Sequence, residues 1–327
     1  MDPSFSASLY YRHSGRFSFS GVLIAAGFGL LVGLPCAYVY AYLDHWNPFV
    51  YVNCLAAIGF GWAIGQVISS KLQSQKCRNV PIAGAAALLV VLVSYYLSWA
   101  VWLHTLTHIP VLALLQHPFD MWQVVLYVNE VGAWRVRGDV VKGMLLWVAW
   151  GSEAAGIIGF AVYTAVHSMQ ETTYCEGCDL FAKVFRSVCS VKAGVAPSLQ
   201  NKAALKSYRS GLKAQAAELK QHLEIKDFAY VEQLGAVQPD SIAWYDFDLA
   251  SCPQCNMTNT LSVTQHERIQ RKKGKEKASE RTVLHHLLLS ANEADTIRKL
   301  KEKLNVPTSQ AMPGITAVQA SAATGVD

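Results

Sequence analysis

Four stretches of this chain are long enough and apolar enough to cross a hydrocarbon layer, and no other feature restricts its fold as severely. They cover residues 17–43, 49–69, 81–103 and 141–166. A membrane interior offers no water to an unpaired N–H or C=O, so about 20 apolar residues in a row must close their own hydrogen bonds as a helix. The first three stretches contain no Asp, Glu, Lys or Arg, and Tyr42, Trp46, Tyr51, Trp99 and Trp102 lie at their ends, where amphipathic rings favour the interface. The first is too long, and too soon followed by others, for a cleaved signal peptide.

The charge distribution separates two solvents. Residues 1–167 hold 8 of the 28 Lys/Arg and 6 of the 23 Asp/Glu; the remainder of both sets falls in residues 168–327. The reading is a mainly α integral membrane protein. Four transmembrane helices in residues 1–167 precede a small α+β cytoplasmic domain, residues 168–305, with a tail of disordered composition over 306–327. Arg12 and Arg16 before the first span, and Lys71, Lys76 and Arg78 after the second, place both termini inside by the positive-inside rule. Arg135, Arg137 and Lys142 oppose this, in a loop that also carries Asp120, Glu130 and Asp139.

Within the membrane half, Gly21, Ala25, Gly29, Gly33, Ala37 and Ala41 recur every fourth residue, and Asn53, Ala57, Gly61 and Gly65 offer a second small face. Small faces let helix backbones approach in lipid, so the first two spans are expected to pack as a hairpin through them. The outer loop, residues 105–140, should contain a short surface helix that begins at Pro118 and stops at Gly132, with Trp122 and Trp134 anchoring it at the bilayer surface. Glu153 lies mid-span with no Lys or Arg in the other spans to pair with it. An ionisable group at that depth is a candidate intramembrane polar site, protonated or hydrogen-bonded to a neighbour such as Asn53, Gln66, a Ser or a Tyr. His104 and His108, one turn apart, and the nearby His117 have ligand chemistry but no matching ligand pattern elsewhere, and read as interfacial histidines.

The cytoplasmic half carries the strongest chemical signal, two CxxC pairs: Cys175 with Cys178, and Cys252 with Cys255. Each pair folds into a knuckle that aims two thiolates at one centre, and two knuckles complete the four-sulfur cage that zinc favours. The expectation is one structural Zn2+ per chain. Cys36, Cys54, Cys77 and Cys189 have no such partner. "YDFDL", residues 245–249, alternates like a strand leading into the second pair, residues 258–270 read as a strand leaving it, and residues 281–290 as its return. This arrangement resembles a zinc ribbon, or rubredoxin-like knuckle pair, and the resemblance implies a metal-stabilised module without implying one function. The 73 residues between Cys178 and Cys252 exceed a compact ribbon. They hold a helical insert over about 198–228, marked by Leu205, Tyr208, Leu212, Leu219 and Leu223 at helical spacing. Ser290 and Glu293 form a capping-box signature for a last helix. Asp246 and Asp248 share a strand face and are expected to contact the knuckle amides or the basic hairpin.

Arg268, Arg271, Lys272, Lys273, Lys275, Lys277 and Arg281 cluster between the two last strands. They suit anionic lipid headgroups near a tethered tail better than nucleic acid, because the run has no aromatic residue for base stacking. The functional expectation is a non-enzymatic membrane protein whose zinc module serves assembly, with an unidentified protein partner or a second copy, or membrane-surface binding. Two alternatives stand beside it: a membrane thiol-disulfide oxidoreductase using the CxxC pairs, and a proton- or ion-coupled transporter component using Glu153.

Overall fold

The structure, a computed structural model, describes residues 8–47, 49–136, 139–194, 202–238, 241–270 and 276–304. The chain divides into two compact units, Arg12–Phe181, and Ala182–Asp327 together with Met1–Tyr11.

The first unit is helical. α1 (Phe19–Trp46), α2 (Val50–Ser74), α3 (Val80–Thr107) and, after a loop region, α6 (Met144–Gln170) are its long helices. All four are long and apolar enough to cross a membrane. Side-chain caps start two of them: the Ser18 hydroxyl accepts from Gly21 N at 3.0 Å, and the Asn79 side chain accepts from Ile82 N at 3.0 Å ahead of Pro81. The side-chain arrangement is the reverse of a water-soluble helix. In α1 the small residues Gly21, Ala25, Gly29, Gly33, Ala37 and Ala41 are buried, while Leu23, Leu31 and Val39 are 56%, 67% and 68% exposed. Large apolar groups facing outward are stable only where the surroundings are apolar too.

The packing corrects the hairpin expectation in one respect. The small stripe of α1 meets both α2 and α3: a Cβ added at Gly29 would lie 2.6 Å from Ile68 and 3.1 Å from Val90, and one at Gly33 would lie 2.3 Å from the Ser94 hydroxyl. The small face of α2 turns instead to α6. A Cβ at Gly61 would sit 2.2 Å from the carbonyl oxygen of Ile157, and one at Gly65 would sit 2.5 Å from that of Ala161. These obstacles are backbone atoms, so glycine is required by close approach. Tyr40 and Phe60, with ring centroids 5.6 Å apart, keep α1 and α2 adjacent nonetheless.

Between α3 and α6 the chain forms α4 (Val111–Gln116), α5 (Pro118–Val131) and a two-stranded ribbon of β1 (Trp134–Val136) and β2 (Asp139–Val141). The short helix from Pro118 to the Gly132 stop is present, but it packs on the bundle. Met121, Val125 and Val128 are buried, and Trp122 lies against Trp147 with centroids 5.6 Å apart. The ribbon has no signature strong enough to read in sequence. His104 and His108 close the end of α3: His104 Nδ1 meets the Ile109 carbonyl at 2.7 Å, and His108 is the C-cap at φ 61°. His117 approaches Asp120 at 3.9 Å. The unit ends in a minimal hairpin, β3 (Tyr174–Cys175) against β4 (Leu180–Phe181).

The second unit is a four-stranded antiparallel sheet with helices on one face. β5 (Lys183–Lys192) precedes α7 (Lys202–Glu224) and α8 (Ala229–Leu234); β6 (Ala243–Ser251), β7 (Asn259–Gln270), β8 (Glu276–Leu289) and α9 (Ala291–Lys303) follow. The sheet order is β5-β6-β7-β8. Alternation in β6 sends Tyr245, Phe247 and Leu249 into a core completed by Leu212, Leu219 and Leu223 of α7 and by Ile297 and Leu300 of α9. Each fully buried leucine contributes about 1.5–3 kcal/mol. The Ser290–Glu293 capping box starts α9 as its sequence requires. Two features were not legible. β5 adds a strand beside β6, broken by a bulge between Phe185 and Cys189, and residues near the N-terminus pair with β8 through Tyr10–Leu287 and a Tyr11 N to His286 O bond of 2.9 Å.

Gly61→Ala should therefore destabilise the detergent-solubilised protein by about 1–3 kcal/mol through overpacking. Gly59→Ala, where an added Cβ meets nothing within 4 Å, should be neutral or slightly stabilising. Thermal unfolding of the two variants side by side checks this; equal behaviour would show that the α2–α6 contact is not close.

Candidate metal centre

Each CxxC pair is built by its own local structure. The first lies on the β3–β4 hairpin, where Cys175 pairs with Leu180 and Asp179 turns the chain at φ 55°. Tyr174 and Phe181 pack edge-on beneath it at 4.8 Å. The turn carries two carboxylates, and the α2–α3 connection supplies their cations. Arg78 stacks over the Tyr174 ring at 4.0 Å and pairs with Glu176, and with Asp179 at 3.4 Å. Lys76 also pairs with Asp179, which accepts a further bond from the Tyr174 hydroxyl. The bonds from Lys76 and Tyr174, with Arg78 nearby, hold the Asp179 carboxyl below its ordinary range. Arg78 is only 11% exposed, which makes it an anchor of the turn. In the sequence Lys76 and Arg78 carry only a topological signal; two carboxylates inside a four-residue turn were the available hint that cations must come from elsewhere.

The second pair follows β6. Cys252 N bonds Thr258 O at 3.0 Å, Asn256 N bonds Cys252 O at 3.2 Å, and Asn256 takes φ 52°, the left-handed turn that asparagine tolerates. Met257 N then donates to Cys255 Sγ at 3.4 Å, the backbone amide-to-sulfur contact that a thiolate knuckle needs. Arg298 of α9 binds Ser251 Oγ at 2.9 Å and Asn256 Oδ1 at 3.2 Å, and is itself held by Asp295 at 2.6 Å. One arginine thus braces each knuckle.

Cys175, Cys178, Cys252 and Cys255 offer four sulfur atoms that all lie within 4.8 Å of one another and could hold a metal ion. Four thiolates at bonding distance from one zinc would stand about 3.8 Å apart. Cys175 and Cys252 are each 2% exposed, and the other two are half-buried. Cys189 lies apart from this group, in the sheet core, with burial raising its thiol to about 12. It therefore behaves as a small apolar residue.

The other candidate residues are dispersed. Among the described residues, Asp246 and Asp248 bond across the open face of the sheet. Asp246 accepts from Ser190 Oγ and meets His266 Nε2 at 3.1 Å, and Asp248 accepts from Ser187 N at 2.7 Å. The ring of His266 stacks on Trp244 at 5.2 Å, with Glu280 3.5 Å from its Nδ1. Arg268 lies 5.7 Å over the same indole, and Arg281 is exposed on β8. Arg271, Lys272, Lys273 and Lys275 lie outside the described residues, as does the Lys277 side chain and the tail over 306–327. Glu153 on α6 and Tyr40 of α1 line the same hollow. Asp44, which the span limits had left in a loop, rides on the last turn of α1 and accepts from Asn53 at 2.8 Å.

No family model, characterised protein or solved structure matches the chain.

The His266–Asp246 pair gives a pH dependence with a definite sign. The bond to Asp246 raises the imidazole above its ordinary value despite burial. Burial opposes the Asp246 charge, but the bonds from His266 and Ser190 outweigh it and leave the carboxyl lowered. The histidine contribution is therefore complete below the unfolded value, about 6.5, and is lost as pH rises through the raised one; the aspartate contribution is present above about 3.9 and is lost as pH falls through the lowered one. Thermal unfolding of wild type and His266→Gln should differ most near pH 5.5 and converge toward pH 8.5. A gap independent of pH would mean that the pair carries no charge.

Proposed function

We propose that the chain is a multi-pass membrane protein, with both termini cytoplasmic, whose four knuckle cysteines hold one structural zinc ion and whose metal-stabilised module serves assembly or partner binding at the membrane surface. The convergence of four thiols from two CxxC knuckles carries this reading. The donor set fits the ion: sulfur ligands alone, each pair on a turn, select a soft or borderline metal over calcium or magnesium. A closed four-thiolate site leaves no position for water, so the ion would supply folding energy and no hydrolytic chemistry. Apparent binding free energies of about 10–16 kcal/mol are typical of such sites, enough to decide whether the surrounding turns form.

The same residues favour this role over thiol exchange. Thiol exchange needs only one CxxC pair with an accessible, low-pKa thiol, whereas here both pairs turn their sulfurs toward one centre and the first cysteine of each is buried. The basic residues Arg268 and Arg281, on strands of the same sheet, suit contact with anionic headgroups, each worth about 1 kcal/mol near a charged leaflet.

Metal analysis of the purified full chain should return one zinc per chain. Its four knuckle thiols should react with a thiol reagent only after chelation, and Cys175→Ser and Cys252→Ser should each abolish zinc retention. Two disulfides in place of the metal would replace this reading with the oxidoreductase one. A C-terminal tag should be labelled only after the membrane is permeabilised.

A further inference from the structure

Five aromatic side chains of the helical unit touch in one unbroken series. Tyr95 and Trp99 of α3 meet with ring centroids 6.3 Å apart, Trp99 meets Trp150 of α6 at 5.0 Å, Trp150 meets Trp147 at 5.3 Å, and Trp147 meets Trp122 of α5 at 5.6 Å. The first three contacts are edge to face and the last is tilted. An edge-on contact engages the rim of one ring and leaves a face for a further partner. All five rings line one groove of about 980 Å³ between α3, α5 and α6.

An ordinary interfacial belt spreads its aromatic residues around a bundle, each ring at headgroup level. This series is organised differently. Its rings contact one another, Trp150 is 4% exposed, and α5 closes one side of the groove with the buried Met121 and Val125. The wall on α6 is low at Gly151 and Ala154, and a Cβ added at Gly151 meets nothing within 4 Å. The groove is thus a gap in side-chain packing bounded by rings, in the size range that accepts a small organic ligand.

The lining selects the ligand. Among the described residues around the groove none is Asp, Glu, Lys, Arg or His, so a charged group would lose its water there and find no counter-charge. Tyr96 contributes a hydroxyl, but it is directed at the carbonyls of Leu114 and Leu115, 3.3 and 3.4 Å away. The ligand is therefore neutral. A flat conjugated ring presents its own edge and face to the aromatic series at several points, whereas a saturated molecule of the same size makes dispersion contacts alone. We propose that the groove binds a neutral, planar, conjugated ring compound of the membrane phase.

The test measures tritiated anthracene held by the immobilised full chain in a neutral maltoside detergent. Binding should saturate, and unlabelled phenanthrene should displace the probe at a concentration about tenfold or more below that of perhydrophenanthrene or phenanthrene carboxylate. Gly151→Leu and Ala154→Leu, which fill the groove and keep every ring, should each weaken the saturable binding about tenfold or more. If a variant fails to fold, the displacement series on the wild-type chain decides the matter alone. Perhydrophenanthrene competing as well as phenanthrene would make the groove a berth for lipid chains and overturn the proposal; the carboxylate competing equally would overturn it by admitting charge. A signal that never saturates is partitioning into the micelle, and saturable binding unchanged in both filled variants belongs elsewhere on the chain. Either result also overturns it.

Discussion

The helical unit depends on the contact of α2 with α6, where Gly61 and Gly65 lie so near the carbonyls of Ile157 and Ala161 that no side chain fits between. In hydrocarbon there is no hydrophobic gain from joining two apolar helices, so association rests on dispersion between closely packed backbones and on a few polar contacts. The contact fixes the rotation of α6. Glu153 lies one turn from Ile157 on that helix, and the rotation that seats Ile157 against α2 also turns Glu153 toward Tyr40 of α1. The tryptophans Trp147 and Trp150 then meet α3 and α5.

The second unit solves a different problem. Its sheet has an apolar face covered by α7 and α9 and an open face of polar pairs, the ordinary solution for an antiparallel sheet in water. The charged residues on that open face are satisfied by one another across strands, as Asp246, His266 and Glu280 are. The turns that carry cysteines have too little apolar surface to hold their shape. They are secured by arginines, Arg78 on one and Arg298 on the other.

Comparison of individual elements shows which kinds of inference the sequence supports. The four spans were legible because an uninterrupted apolar run of that length has one stable conformation in lipid. β6, β7 and α9 were legible because alternation, turn residues and a capping box agree over short distances. The partner of the α2 small face was misread: two stripes adjacent in sequence suggested each other, but α6, the last of the four long helices, offered the closer backbone. Asp44 was placed outside its helix because a charge near an interface resembles a loop residue, whereas α1 continues to Trp46. Asp246 and Asp248 were assigned to the nearest feature along the chain, while their partners came from β5 and β7.

By itself the sequence determined the four long apolar helices, the type of most elements and which four cysteines come together, since hydrophobic run length, alternation and CxxC spacing are local properties that act before any tertiary contact forms. Only the tertiary structure decided that α2 packs its glycines on α6, that Arg78 and Arg298 brace the knuckles, and that Asp44 and Glu153 share one aromatic hollow. Each of those joins residues far apart in the chain. Their meeting depends on how helix rotation and side-chain volume are shared among several elements at once, and a linear pattern carries no record of that.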